Sequence, residues 1–210
     1  MAEEILRPNA TGDEENIRNA SPDVDHYLNV DEEVSDEYTT NLNENALPGY
    51  TFYRDLYNLD ATSGSGTINK ITVSVVLLNG TGFDSKYTIA VKTGGVVDES
   101  AQTVYAPATW GTRSQEWAEN PDTETAWTWD DLDSLQAGVS LAAYGMGGQM
   151  VVTQLYVVVD YTAAATGTNF QVQIGEAWKA VPAMQIQIGG AWKAVEGAQI
   201  NIGDTWKTIF

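Results

Sequence analysis

Chemistry in this chain has to come from carboxylates and tryptophans, because the other usual actors are scarce. There is no cysteine, and there is a single histidine, His26. That removes disulfides, thiolate zinc sites and cysteine nucleophiles. It leaves almost no material for a Ser-His-Asp triad or a histidine metal site, and His26 reads as a surface residue. Asp130, Asp131 and Asp133 lie close enough to suggest a calcium loop. They lack the glycine and the distal glutamate of an EF-hand, and acids at a helix N-terminus are the plainer reading. Glu116, Glu119 and Glu124 could supply the carboxylate pair of a glycoside hydrolase. A chain so rich in acids offers many such pairs by chance. The expectation is a protein that is not an enzyme, with no cofactor and no metal.

The tryptophans are more pointed. Trp110, Trp117, Trp127 and Trp129 crowd one stretch. Aromatic faces stack on sugars, although packing in a core or interface is their commoner use. Trp110, Trp117 and Trp127 are therefore the candidate ligand-stacking residues. Three others, Trp178, Trp192 and Trp206, each precede a lysine. A buried tryptophan with an outward lysine explains the pair simply. A groove repeated three times, as in choline- or wall-binding repeats, is the sharper reading.

Charge divides the 210 residues into zones. Residues 1–48 carry 13 acids against 2 bases, residues 49–161 carry 13 against 5, and residues 162–210 carry 3 against 3. The net charge of −19 argues against nucleic acid and anionic membranes as partners, since phosphates are repelled. The N-terminus shows no basic and apolar secretory segment, and the longest apolar runs, such as 155–159, are too short to span a bilayer. The first zone reads as an acidic extended arm. Its spaced apolar residues, among them Leu6, Ile17, Val24, Val30 and Leu42, leave open whether it is solvated or docks on a body or a neighbouring subunit.

Residues 49–161 read as one all-β domain. In 67–78, Ile71, Val73, Val75 and Leu77 alternate with other residues, the period-two signal of a strand with one buried face. Residues 149–161 are apolar on both faces, which suggests a central, covered strand. Further strands are expected at 87–91 and 139–141, with a turn at 145–148. Thr128-Trp129-Asp130-Asp131 resembles a capping box, so one short helix is expected, stopped by Gly138. Together these elements specify an antiparallel β-sandwich of jelly-roll type. Residues 162–169 read as a linker.

The tail, 170–210, repeats. FQVQIGEAWKAV, MQIQIGGAWKAV and AQINIGDTWKTI recur with a period of 14, set by Trp178, Trp192 and Trp206. Each unit reads as a β-hairpin. A loop of three residues, Gly175-Glu176-Ala177, would put Trp178 on the face of Ile174. Hairpins this short do not stand alone in water. The tail is thus expected to be completed by identical tails, with Ile174, Trp178, Ile188, Trp192, Ile202 and Trp206 as assembly residues.

The units IGEAWKAV, IGGAWKAV and IGDTWKTI resemble short repeats at the C-termini of tailed-bacteriophage virion proteins. TWDDLDSLQAGVSL followed by VVTQLYVVVDY resembles a β-sandwich domain of phage and prophage structural proteins. Together the two cover about residues 50–210. The resemblance implies a virion structural protein: a head decoration, fibre or tail-surface subunit on the virion surface, assembled in the host cytoplasm. Its implied partners are itself, as a homo-oligomer and first of all a trimer, and other virion proteins. No catalytic residues come with it. The alternative is a carbohydrate- or cell-surface-binding module using exposed tryptophans.

Overall fold

The computed structural model describes residues 1–45, 51–80, 85–105, 108–143 and 148–164, together with the backbone strands of the tail. Two units emerge, Met1–Ala163 and Ala164–Phe210. In the first, the strands are β1 (Ala2–Leu6), β2 (Pro8–Glu15), β3 (Asn19–Ser21), β4 (Asn41–Asn45), β5 (Tyr53–Leu59), β6 (Gly66–Asn79) and β7 (Ser85–Thr93). They continue as β8 (Val96–Glu99), β9 (Thr103–Val104), β10 (Gly111–Trp117), β11 (Glu119–Asn120) and β12 (Thr125–Ala126). A one-turn helix α1 (Trp129–Leu132) precedes β13 (Gln136–Ala143) and β14 (Gln149–Ala163).

Twelve of these fourteen strands form two six-stranded sheets, and β11 pairs with β12 in a separate two-stranded one. The first runs β10-β6-β14-β4-β3, with β1 also on β14. The second runs β2-β5-β13-β7-β8, with β9 also on β7. All the pairings are antiparallel. The core face read in β6 is observed: Ile71, Val73, Val75 and Leu77 are fully buried in one core with Tyr57, Ile89, Val139 and Leu141 of the facing sheet, but the other face is covered as well from Ser74 onward, with Ser74, Val76 and Leu78 also buried. Each such aliphatic side chain contributes roughly 1.5–3 kcal/mol when taken out of water. The chain is a β-sandwich, and β14 is its central strand in the first sheet, paired on both sides.

Residues 1–45 of the expected 1–48 arm are not an arm, and 46–48 lie outside the described residues. They supply β1 to β4, and Leu6, Ile17, Val30 and Leu42 are each 2% exposed or less. Local acidity predicted extension, but four apolar side chains spaced along the segment outweigh the self-repulsion. Polar contacts fix the docking. The Leu155 amide donates to the Val30 carbonyl (2.8 Å), and Arg7 donates to the carbonyls of Glu32 and Glu33. Glu44, 1% exposed, accepts the Arg18 backbone amide at 2.8 Å and the Arg18 guanidinium at 2.5–3.0 Å.

His26 is a second correction. Its side chain is 12% exposed and its Nδ1 lies 2.6 Å from Oδ2 of Asp55, which is fully buried. The helix is a third. The capping box forms, with the Asp131 amide on Thr128 Oγ1 (3.2 Å) and the Thr128 amide on Asp131 Oδ2 (2.8 Å). The helix nevertheless ends at Leu132, because Leu135 turns into the core and β13 starts at Gln136. Gly138 therefore lies inside a strand, where a Cβ would stand 1.9 Å from the Asp55 carbonyl oxygen. The glycine serves close backbone approach there, not helix termination.

The tail unit holds three separate two-stranded sheets: β15 (Phe170–Ile174) with β16 (Ala177–Val181), β17 (Gln185–Ile188) with β18 (Ala191–Ala194), and β19 (Gln199–Ile202) with β20 (Thr205–Thr208). In the first, Ile174 pairs with Ala177 and Gln173 with Trp178. Two residues, not the expected three, lie between the strands, so Trp178 stands opposite Gln173 and does not share the face of Ile174 as expected. The other two hairpins repeat this register, with Gln187 opposite Trp192 and Asn201 opposite Trp206. The side chains of Ile174, Trp178, Ile188, Trp192, Ile202 and Trp206 lie outside the described residues, as do 145–147 of the expected turn at 145–148 and 165–169 of the expected linker, whose first two residues, Thr162 and Ala163, instead close β14.

Candidate functional site

Two of the three candidate stacking residues are core. Trp117 is 7% exposed and donates its indole N–H to Asp98 Oδ2 at 2.6 Å. Trp127 is 4% exposed and donates to the Trp117 carbonyl at 3.1 Å. Their faces are taken by the protein, the commoner fate of a tryptophan whose ring packs in a core while its N–H finds a partner. Trp129 donates to the Gly66 carbonyl (2.9 Å) and meets Tyr161 edge-on at 5.1 Å. Trp110 differs. It is half-buried and meets Tyr38 edge-on, with centroids 5.2 Å apart. Tyr38 is 60% exposed.

The better-formed concavity lies on the outer face of the second sheet. Period-two alternation along β5 sends Arg54 outward and Asp55 inward. On β13, Ser140 lies opposite Arg54 on one side and Thr88 on the other. Between Thr11 and Glu15 the register of β2 slips against β5. The extra residues carry Glu14 to Arg54, and β8 brings Glu99 beside it. The result is a depression of about 450 Å³ lined by Glu14, Asn16, Phe52, Tyr53, Arg54, Glu99 and Ser140.

Its electrostatics are closed. Arg54 donates from Nε and Nη2 to the two oxygens of Glu14 (3.0 and 2.6 Å) and from Nη1 to Glu99 Oε1 (3.2 Å). Glu99 Oε1 also accepts from Ser140 (2.7 Å) and Thr88 (3.1 Å). The bonds that Arg54 donates to Glu14 raise it further above its ordinary value, burial works against them, and Glu99 adds to the rise. Burial alone would push Glu99 up, but hydrogen bonds from Ser140, Arg54 and Thr88 together hold it below the usual carboxylate range. At one rim the Arg18 guanidinium lies 4.7 Å over the Tyr53 ring.

A second depression of about 280 Å³ opens on the same face, lined by Asp13, Lys92, Thr93, Gly94, Gly95, Ser134 and Gln136. It follows the same rule, since Lys92 is paired with Asp13. Gln136 Oε1 holds the Asp13 amide at 3.1 Å.

Residue types alone did not single out Arg54, Glu14 or Glu99. One signal was available: Arg54 is one of only five bases in 49–161, and it sits in an otherwise strand-like run. The three aspartates at 130–133 do not converge on a metal, and among the described residues no group of three ligating side chains does so. Asp131 is spent on the helix cap. There burial pushes it up, and the hydrogen bonds from Thr128 and Asn120 bring it below its ordinary value.

No family model and no curated protein matches the chain. Among solved structures it is similar to the CBM22-1 xylan-binding domain of Paenibacillus barcinonensis Xyn10C, at 14% identity over 77% of this chain and 98% of that one, with a TM-score of 0.38. The xylan-binding module CBM15 follows at 11% identity over 76% and 92%, TM-score 0.38. The CBM35 of Abf62 from Cellvibrio japonicus follows at 14% over 78% and 97%, TM-score 0.35. Scores this low do not establish kinship, and the fold and site of this chain stand on its own residues.

Proposed function

We propose that the sandwich unit is a non-catalytic module that binds a polyhydroxylated ligand, a carbohydrate, in the cleft around Arg54. One observation carries this. The cleft sets ionic acceptors, a guanidinium, the Asn16 amide and the Ser140 hydroxyl beside the rings of Phe52 and Tyr53. Sugar hydroxyls both donate and accept, and charge-assisted partners bind them best. The ring C–H face of a sugar packs on aromatics. Glycoside hydrolysis by contrast needs one carboxyl kept protonated, and Glu99 is shifted the other way. Calorimetry against a panel of soluble polysaccharides tests the reading. Binding of at least one, weakened tenfold or more by Arg54→Ala, is expected. No binding across the panel, or binding indifferent to Arg54, overturns it.

A second reading is favoured by the tail. Three two-stranded hairpins offer too little core for independence, which supports self-assembly, as in the virion structural subunit that the sequence resemblance implies. Sedimentation of the full chain is expected to give a homo-oligomer, first of all a trimer. A monomer at all concentrations counts against it.

A further inference from the structure

The site's charge pairing restricts what it admits. We infer that the cleft accepts neutral glycans and refuses anionic ones, and that Glu14 and Glu99 impose this choice by occupying Arg54. The inference rests on the carbohydrate reading. An arginine in a cleft is ordinarily the natural partner of a carboxylate or phosphate, because its donors match both in bidentate fashion. Here Nε and Nη2 already hold Glu14 and Nη1 holds Glu99. A uronate entering the cleft would have to displace one of these carboxylates and leave it beside itself without a cation. The same pattern recurs around the face. Arg18 is taken by Glu44 and Lys92 by Asp13. A neutral sugar meets no such conflict. Its hydroxyls donate to the free lone pairs of Glu14 and Glu99 and accept from Asn16. This is exclusion of a wrong ligand by an unpaired charge, a common source of specificity.

The chain's net charge of −19 repels polyanions by itself, so the test must separate that field from the local pairing. In 1 M NaCl the Debye length falls to about 3 Å, which screens the field but not the contacts at Arg54. Under that condition the full chain is titrated with polygalacturonate and with the neutral polysaccharides of the panel. The wild type is expected to bind a neutral polymer and to ignore polygalacturonate. The double variant Glu14→Gln with Glu99→Gln keeps the side-chain shape and drops the charge. It is expected to gain at least tenfold in affinity for polygalacturonate and to bind the neutral polymer more weakly than wild type, because both charged acceptors are lost. Glu99→Gln alone, which leaves both Glu14 bonds in place, gives the same shift in smaller measure. Wild-type binding of polygalacturonate as tightly as the neutral polymer overturns the inference and leaves the carbohydrate reading standing. A double variant that unfolds in urea as wild type does and still refuses polygalacturonate does the same. Wild-type binding of neither polymer overturns both.

Discussion

Arg54 and Asp55 are consecutive residues on β5, and they face opposite sides of one sheet. Asp55 is fully buried. Its Oδ1 accepts the amides of Asn16 and Ile17 (2.6 and 2.8 Å), and its Oδ2 takes His26 Nδ1 and the Tyr57 hydroxyl (2.6 and 3.0 Å). Arg54 is 25% exposed, and its partners Glu14 and Glu99 are 29% and 36% exposed. A charge withdrawn from water must have all its partners supplied by the fold, or the fold fails. A charge left near water keeps partners that it can exchange. The inner carboxylate therefore belongs to the architecture, where it stitches 16–17 and 26 to β5. The outer guanidinium instead holds Glu14 and Glu99 in place at the cleft, where they can meet a ligand.

The largest effect is expected inside. Asp55→Ala leaves the buried Ile17 amide, the His26 ring and the Tyr57 hydroxyl without this acceptor, while the Asn16 amide keeps the Arg54 carbonyl at 3.1 Å. Removing one partner of a buried charged pair costs about 3–5 kcal/mol, and the variant should lose that much in urea denaturation. A loss below about 1 kcal/mol would dissolve the distinction between the two faces of β5.

The contrast between the faces also shows why some of the molecule was legible in the sequence. β6 could be read because a strand with a buried side alternates, as Ile71 to Leu77 do, and β14 because a covered central strand is apolar on both faces. The capping box could be read because both of its bonds are local, between Thr128 and Asp131. The docking of residues 1–45 was only half legible. Leu6, Ile17, Val30 and Leu42 are spaced widely, and nothing local says that they share one core. Trp117 and Trp127 misled for a related reason, since residue type does not reveal which face of a tryptophan is taken. The hairpin register was missed because a three-residue loop suited the apolar faces, whereas the strands close around two residues. The cleft was least legible. Arg54, Glu14 and Glu99 are 40 and 45 residues apart, and only the β2 slip and the β8 edge bring them together.

A smaller effect, confined to pH, sharpens the inner half of the comparison. The Asp55 hydrogen bond raises His26 above its ordinary value of 6.5, against the opposing pull of burial, with Glu15 and Asp25 adding to the rise. A group raised in the folded state contributes stability that is fully present below its unfolded pKa and is lost as pH rises through the folded one. The stability difference between wild type and His26→Gln should be largest below about pH 6.5 and shrink above it. Denaturation of both proteins from pH 5 to 9 measures this, and the comparison cancels the many acids that titrate in common. A difference that grows with pH would mean that the ring is neutral beside Asp55.

The smallest effect on stability should come from the outer face, and it is the most telling. Arg54→Ala deletes three hydrogen bonds to carboxylates, yet pairs this near water contribute only about 0–1 kcal/mol. Glu14 and Glu99 then meet water directly, and Glu99 keeps Ser140 and Thr88. Urea denaturation should show a change of less than about 1 kcal/mol, while the calorimetric affinity for the bound polysaccharide falls tenfold or more. The two readouts must separate. If stability falls as far as in Asp55→Ala, the Glu14–Arg54–Glu99 network is a clamp that holds the β2 slip against β8, and the cleft is a by-product of packing. If only binding falls, the fold has placed one charge inward to hold itself together and its neighbour outward to hold something else.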